Sequence, residues 1–467
     1  MTAAAERFHA TAREALADPT LRAALAGMET GFVAKRAQAV ARLPEFDALR
    51  DAARAIKDHV LDNLDDYLER FEARVVENGG HVHWCADAAA ARATVLGLCR
   101  DAGARTVTKS KSMITEEIDL NDHLEANGIA PIETDLGEYI IQLAHEPPSH
   151  IIAPAIHKTQ DQVADLFAAH HSGGVRHDDA RALLDEARAV LRAKYFAANV
   201  GITGANFLIA DTGSVVIVTN EGNADLTQTL PPVHIVVTSI EKIVPTFADA
   251  ATLLRVLARS ATGQEFSTYT TVATGPRRAG DADGPAAFHV VLLDNGRSEL
   301  LSGKFRDILR CIRCGACLDH CPVYLAIGGH AYGTVYTGPM GAALSPALFG
   351  LAATGHLAEA SSFCGRCESV CPMHIPLPRL MRQWRVKTHQ QRLTPPRQRA
   401  GLALWAWFAT RPGLYRLAAR LAIGLLGALG RRRGRFRRLP GAGGWTEARD
   451  MPAPEGRTFL DQWAARR

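Results

Sequence analysis

Cys311-Ile312-Arg313-Cys314-Gly315-Ala316-Cys317-Leu318-Asp319-His320-Cys321-Pro322 is echoed downstream by Cys364-Gly365-Arg366-Cys367-Glu368-Ser369-Val370-Cys371-Pro372. The first run is C-x2-C-x2-C-x3-C-P, and the second is the same pattern without its leading cysteine. In the bacterial iron-sulfur pattern the first three cysteines ligate one cluster, while the cysteine before proline ligates its neighbour. Crossing the ligands in this way assigns Cys311, Cys314, Cys317 and Cys371 to cluster one, and Cys321, Cys364 and Cys367 to cluster two. Aligning the C-x3-C-P portions puts Ser361 where the missing cysteine would stand. The expectation is two [4Fe-4S] clusters, and two readings stay open for the second: a stable [3Fe-4S] cluster, or a four-iron cluster with one open position near Ser361. Zinc, bound as a tetrahedral four-ligand site, is the competing metal, but seven cysteines in ferredoxin spacing favour iron.

A chain of 467 residues is too long for one core, and two to four domains are expected. The 53 basic residues barely exceed the 49 acidic ones, and Arg431, Arg432, Arg433, Arg435, Arg437 and Arg438 concentrate the excess in the tail. That is a local patch, not the charge balance of a nucleic-acid-binding protein. Only Cys85 and Cys99 fall outside the two runs. They read as buried small hydrophobes, so no disulfide framework is expected. The opening residues hold an early acidic group and no apolar core segment, which reads as a cytoplasmic, unexported chain.

Residues 1–77 carry helical periodicity, with Phe46, Leu49, Ala53, Ile56, Val60 and Leu64 on one face. Over 78–300, short apolar runs alternate with helices, which predicts an α/β domain with a parallel sheet covered on both faces. Strands are expected near His81–Trp84, Arg105–Thr108, Ile129–Ile132, Ile151–Ala153, Asn206–Ala210, Ser214–Val218, His234–Val237 and Ala287–Leu293. Three polar stretches follow strands, where open α/β sheets place ligands. They supply the candidate ligand residues Lys109 and Lys111, then Glu133, Asp135 and Glu138, then Asn220, Glu221 and Asn223. The competing reading of each is a solvated cap or turn. The sequence has neither G-x-G-x-x-G after a strand nor G-x-x-x-x-G-K-[ST]. Without a nucleotide site the clusters read as an electron conduit needing a partner, and no residue is assigned a catalytic role.

Residues 301–385 carry both cysteine runs. The 42 residues between Cys321 and Cys364 are rich in glycine and proline, predicting an irregular covering loop. Flanking helical sequence suggests a helical ferredoxin-like domain. In the C-terminal region, 386–467, the uncharged run Leu421–Gly430 is shorter than the ~20 residues that span a bilayer. Trp405, Trp407 and the arginines suit an interfacial helix across 400–438, with packing against protein as the competing reading.

Lys109-Ser110-Lys111-Ser112-Met113, Glu133-Thr134-Asp135-Leu136-Gly137-Glu138-Tyr139-Ile140, Pro148-Ser149-His150-Ile151, Gly204-Ala205-Asn206 and Glu241-Lys242-Ile243-Val244-Pro245 closely resemble the lactate-utilisation protein B family (LutB, LldF or YkgF type). So do Thr219-Asn220-Glu221-Gly222-Asn223, Gly328-Gly329-His330-Ala331-Tyr332-Gly333, both cysteine runs, and the tail Trp445-Thr446-Glu447-Ala448-Arg449-Asp450. The resemblance implies a lactate-utilisation (LUD) domain of the sugar-isomerase and CoA-transferase-like (NagB/RpiA) α/β class, a helical dicluster ferredoxin domain and a family-specific end. It also implies membership of a three-component system oxidising L-lactate to pyruvate. The partners would be a cysteine-rich heterodisulfide-reductase-like (LutA-like) subunit and a smaller lactate-utilisation (LutC-like) protein. The expected role is the iron-sulfur electron-transfer subunit. The alternative is a ligand-binding or acyl-transfer α/β module whose clusters serve structure or redox sensing.

Overall fold

The computed structural model describes residues 5, 7–171, 173–439, 442–446 and 449–466. Glu447 and Ala448 of the tail motif therefore lie outside the described residues, as do Met1–Ala4 and Glu6 of the opening stretch. The chain divides into two compact units, Met1–Thr388 and His389–Arg467.

In the first unit, strands β1 (His81–Cys85), β2 (Thr106–Lys109), β3 (Ala130–Glu133), β4 (Val200–Thr203), β7 (Val233–Ser239) and β10 (Ala287–Leu293) form one sheet. Its order is β1-β10-β7-β4-β2-β3, and every pairing is parallel. Alternation along the strands divides two apolar faces. Ile235, Val237, Val291 and Leu293 meet Val95, Leu96 and Cys99 of helix Ala88–Asp101. Val236, Val290 and Leu292 meet Leu64, Leu68, Phe71 and Val75 of helix Leu64–Glu77. The N-terminal segment thus covers a face of the sheet. Cys85 and Cys99 are both buried, and burial pushes the Cys99 thiol up to about 12.

A second sheet, β8-β5-β6-β9, is formed by β5 (Phe207–Ile209), β6 (Ser214–Thr219), β8 (Ile243–Val244) and β9 (Tyr269–Ala273). Here β5 and β9 run antiparallel to β6, while β8 is parallel to β5. Its two faces join different cores. Leu208, Val215 and Ile217 face the parallel sheet. Phe207, Ile209 and Val216 face a core shared with the N-terminal helices and the cysteine runs.

Three expectations differ from this architecture. The central strand β4 escapes the apolar pattern because it contains Gly201, where a Cβ would stand 1.8 Å from the Thr227 carbonyl oxygen. Only glycine admits that close crossing. Ile151–Ala153 is not a strand, because the Ile152 and Ala153 amides donate to His150 Nδ1 at 3.1 Å instead of a ladder. The stretch after Cys321 is not an irregular loop: it holds helices Tyr324–Ile327 and Gly338–Leu348, the latter almost wholly buried. Its breakers are structural, since Pro339 sits in the first turn and a Cβ at Gly341 would meet the Tyr336 carbonyl at 2.0 Å. From residue 294 to 434 the described residues contain helices and no strand.

The second unit holds helices Pro396–Ala409 and Pro412–Gly430, a strand pair Arg435–Phe436 with Met451–Pro452, and helix Phe459–Ala464. Among the described residues, Pro412–Gly430 is long and apolar enough by length and composition to cross a membrane. Its 19 residues hold the uncharged run Leu421–Gly430 together with Arg416 and Arg420. Leu402, Leu404, Trp405, Trp407, Leu421 and Leu425 are all exposed.

Candidate iron-sulfur centre and the cleft beside it

The two cysteine runs share a backbone. Arg313 and Gly315 have positive φ (59° and 78°), and Phe363 and Gly365 repeat them (55° and 80°). Gly315 and Gly365 each open a one-turn helix, Ala316–Asp319 and Arg366–Ser369. The repeat brings Ser361 to the position that Cys311 holds in the first run.

The thiols fall into two electrostatic groups. Cys314 and Cys317 are pushed up by burial and then by their neighbours, Cys371 and Cys311 for the first and Cys311, Cys314 and Cys371 for the second. Burial lifts Cys371 to about 11 while its sulfur accepts from the Ile375 amide at 3.5 Å. Cys321, Cys364 and Cys367 form the other set, in which burial and then Cys321 and Cys364 push Cys367 up to about 12. Cys367 also acts on Cys317, which links the two sets. Sulfurs gathered in fours and threes, five of the seven buried and with amides directed at them, are the donor set that iron-sulfur clusters take.

The inner set, around Cys311, is enclosed by the N-terminal helices. Arg36 donates to the Val370 carbonyl at 3.0 Å, and Arg50 donates to the Ser369 and Cys371 carbonyls at 3.0 and 2.8 Å. His150 takes two backbone amides on Nδ1, so its Nε2–H donates to buried Asp319 at 2.9 Å. The outer set differs. Cys364 is exposed, and the Arg366 amide on its sulfur holds the thiol below its ordinary value. Ser361 and Ser362 share a small cavity with Cys321, Cys364 and Cys367, and Ser361 Oγ accepts from the Phe363 amide at 3.1 Å.

A cleft of about 200 Å³ lies between the strand ends of the α/β domain and the Cys311–Cys314 loop. Of the eight residues that the sequence nominated there, Lys111, Asp135, Asn220, Glu221 and Asn223 line it. Lys111 donates to the Ile152 carbonyl at 2.7 Å and lies 3.8 Å from Asp135. Asp135 also caps helix Leu136–Leu143 through the Gly137 and Glu138 amides.

Lys109, Glu133 and Glu138 lie apart from it. Parallel pairing sets Lys109 beside Glu133, and the fully buried ammonium bonds Glu133 at 2.7 Å, Glu116 at 2.9 Å and Thr115 at 2.9 Å. Burial alone would lower Lys109, but the carboxylates around it raise it. Glu138, also buried, has an unpartnered Oε1 and is raised well above the usual carboxylate range by burial, then by Glu116 and Glu133. This is an internal ion cluster.

Lys242 and Arg313, absent from the sequence candidates, complete the cleft. Arg313 Nη2 donates to Glu241 Oε1 at 3.0 Å and its guanidinium lies 5.0 Å from the centre of the Tyr336 ring. Glu241 also pairs with Arg297 at 3.0 Å, and Arg297 grips Glu117 at 2.5 and 2.9 Å. Burial opposes the Glu241 charge, yet Arg297 and Arg313 hold it down to about 2. Lys57, from helix Phe46–Asp62, donates to the Glu241 backbone carbonyl. Burial lowers both Lys57 and Lys242 to about 8. A sequence signal existed for Arg313, a cation between two cluster-spaced cysteines. Lys242 belongs to the Glu241–Pro245 stretch that carries the family resemblance, but nothing beside it in sequence marked it as a ligand group.

Comparisons with known proteins follow this geometry. The LUD domain family matches residues 68–293, the 4Fe-4S dicluster domain 307–375, and the lactate utilisation protein B C-terminal family 378–467. The chain is 42% identical to lactate utilization protein B of Geobacillus kaustophilus (strain HTA426), covering 98% of this chain and 97% of that one. It is 43% identical to the protein of the same description from Geobacillus thermodenitrificans (strain NG80-2), over 97% and 96%. The chain belongs to the lactate utilization protein B family. A further relative, 42% identical over 97% of this chain and 95% of its own, is the uncharacterized electron transport protein YkgF of Escherichia coli (strain K12). All seven cysteines of the two runs fall inside the dicluster match, and the Lys242 and Glu241 side of the cleft falls inside the LUD match.

Proposed function

We propose that the chain is the iron-sulfur electron-transfer subunit of a multi-component system that oxidises L-lactate to pyruvate. The observation that carries this reading is the sorting of seven thiols into an inner set of four and an outer set of three. Cys311, Cys314, Cys317 and Cys371 would hold one [4Fe-4S] cluster. Cys321, Cys364 and Cys367 would hold the second, which is [3Fe-4S] or keeps an open position beside Ser361. Bound clusters supply one-electron transfer. Around them the protein excludes water with the N-terminal helices, directs amides at the sulfurs, and sets cationic groups beside the inner set.

The reading includes partners: a cysteine-rich heterodisulfide-reductase-like subunit and a smaller lactate-utilisation protein, with the exposed Cys364 end as the outlet. It also includes a sugar-isomerase and CoA-transferase-like α/β class for 78–300, a ferredoxin-like class for 301–385, and a cytoplasmic site of action. Exposed Trp405, Trp407 and Leu421 beside the arginine cluster favour peripheral membrane contact through 400–438, which flotation with anionic liposomes checks.

The test is anaerobic purification with iron and sulfide analysis, then reconstitution with the two partners. L-Lactate should produce reduced-cluster EPR signals. A fully reconstituted system in which lactate leaves the clusters oxidised would overturn the reading.

A further inference from the structure

We propose that the cleft is a binding site for a small monocarboxylate, held by Lys242 and Arg313, and that these cations couple its occupancy to the charge on the inner cysteine set. The choice of an organic acid rests on the lactate-utilisation reading; the anion site itself rests on the geometry.

Lys242 is only 7% exposed and lines the cleft, yet among the described residues it makes no hydrogen bond or salt bridge. Arg313 commits one nitrogen to Glu241, and its Nε is buried without a partner. Arg313 Nε is a buried donor left unmatched, which is costly, and an anion between it and the Lys242 side chain removes that deficit. Lys111, by contrast, is already held by Ile152 and Asp135, so the unmet demand lies at the inner wall beside the Cys311–Cys314 loop.

The remaining lining narrows the ligand. About 200 Å³ is ample room for an acid of a few heavy atoms, since a cavity of about 10–15 Å³ already holds a water. Asp135 and Glu221 line the same cleft and oppose a second negative charge, which selects a monoanion over phosphate or a dicarboxylate. Ser112 and Asn206 offer polar contacts for a hydroxyl or carbonyl, and Ile152 and Ala258 offer apolar contacts for a short alkyl group. Arg313 stands between Cys311 and Cys314 in the chain, and Lys242 lines the same cleft beside it. A carboxylate and an added electron at the inner set therefore draw on the same cations, and each weakens the other reciprocally.

The test is calorimetric titration of the full-length, anaerobically reconstituted protein with L-lactate, pyruvate, malonate and inorganic phosphate, in oxidised and reduced states. The expected result is preferential monocarboxylate binding. Lys242→Met, with iron content unchanged, should weaken it about 10- to 100-fold, the range of a charged hydrogen bond. Reduction should weaken binding to the wild type, and saturating pyruvate should lower the midpoint potential of the inner cluster. Should Lys242→Met fail to fold, the wild-type comparison decides: equal affinity in the two redox states overturns the proposal. So does absence of monocarboxylate binding, binding of phosphate at equal strength, or unchanged affinity in a folded Lys242→Met. Carboxylate binding without lactate-driven reduction in the three-component system would sink the electron-transfer reading and leave the site standing, and the reverse result would do the opposite.

Discussion

The two ends of the cysteine-bearing region are built from one repeated backbone and surrounded by opposite environments. At the inner end, Cys314, Cys317 and Cys371 are buried, with Arg36, Arg50 and Lys242 supplied by elements far away in sequence and Arg313 by the run itself. At the outer end, Cys364 is exposed, a serine replaces a cysteine, and the hollow around it is lined by local residues such as Pro322, Leu325 and Arg366. A shared motif therefore fixes the local loop, whereas long-range packing decides what each end can do. On the proposed reading, the inner end senses the α/β cleft and the outer end meets a partner.

The largest effect should follow from breaking the inner set. Cys317→Ser removes a buried thiol, the proposed ligand on which four other cysteines act, and on that proposal iron analysis should read loss of roughly half the metal, one cluster of the two. Cys364→Ser, at the exposed edge, should leave the inner cluster's EPR signal in place. Equal iron loss from both variants would erase the distinction between the ends. Next comes the ion network that joins the inner end to the α/β domain. Arg297→Met takes away the cation that Glu117 and Glu241 share, all three fully or nearly fully buried, and should cost about 3–5 kcal/mol in anaerobic denaturant unfolding. A loss near zero would mean that the network positions groups without holding the domains together.

A smaller effect is expected at Glu138, in the ion cluster around Lys109. Burial raises its folded-state value well above the usual range, so the folded protein binds this proton where the unfolded chain releases it. Stability from this group is thus full below the ordinary carboxylate value near 4.3 and falls as pH rises toward the folded value, by up to about 1.4 kcal/mol per pH unit. Glu138→Gln removes that dependence. Melting curves between pH 5 and 8 should therefore fall less steeply for the variant. Parallel curves would show that another group carries the proton.

The two cysteine runs were legible in the sequence because each spaces its thiols three or four residues apart, and the repeat even marked Ser361. The parallel sheet was legible from continuous apolar runs such as Ala287–Leu293, but β4 was hidden by Gly201, whose value lies in what packs against it. Lys109 looked like an anion holder because it neighbours Lys111. Only the register that sets it beside Glu133 turns it inward. Lys242 and Arg313 are separated by 71 positions and meet only once both cores have formed, so no local spacing could announce the cleft.

The smallest effect on stability should give the sharpest test of the contrast between the two ends. Ser361 matches Cys311 through the repeated positive φ at Phe363 and Gly365, and its cavity contains Cys321, Cys364 and Cys367. Ser361→Cys is nearly isosteric and should change unfolding free energy by no more than about 0.5 kcal/mol. If the serine leaves an iron position open, the new thiolate completes the outer set. Any oxidised three-iron EPR signal should then disappear, and iron should rise toward eight per chain, the content of two four-iron clusters. A persistent three-iron signal with the cysteine still titratable would mean that its sulfur does not reach the outer set. The equivalence of the two loops would then stop at the backbone, and the missing ligand would have to be sought on another element.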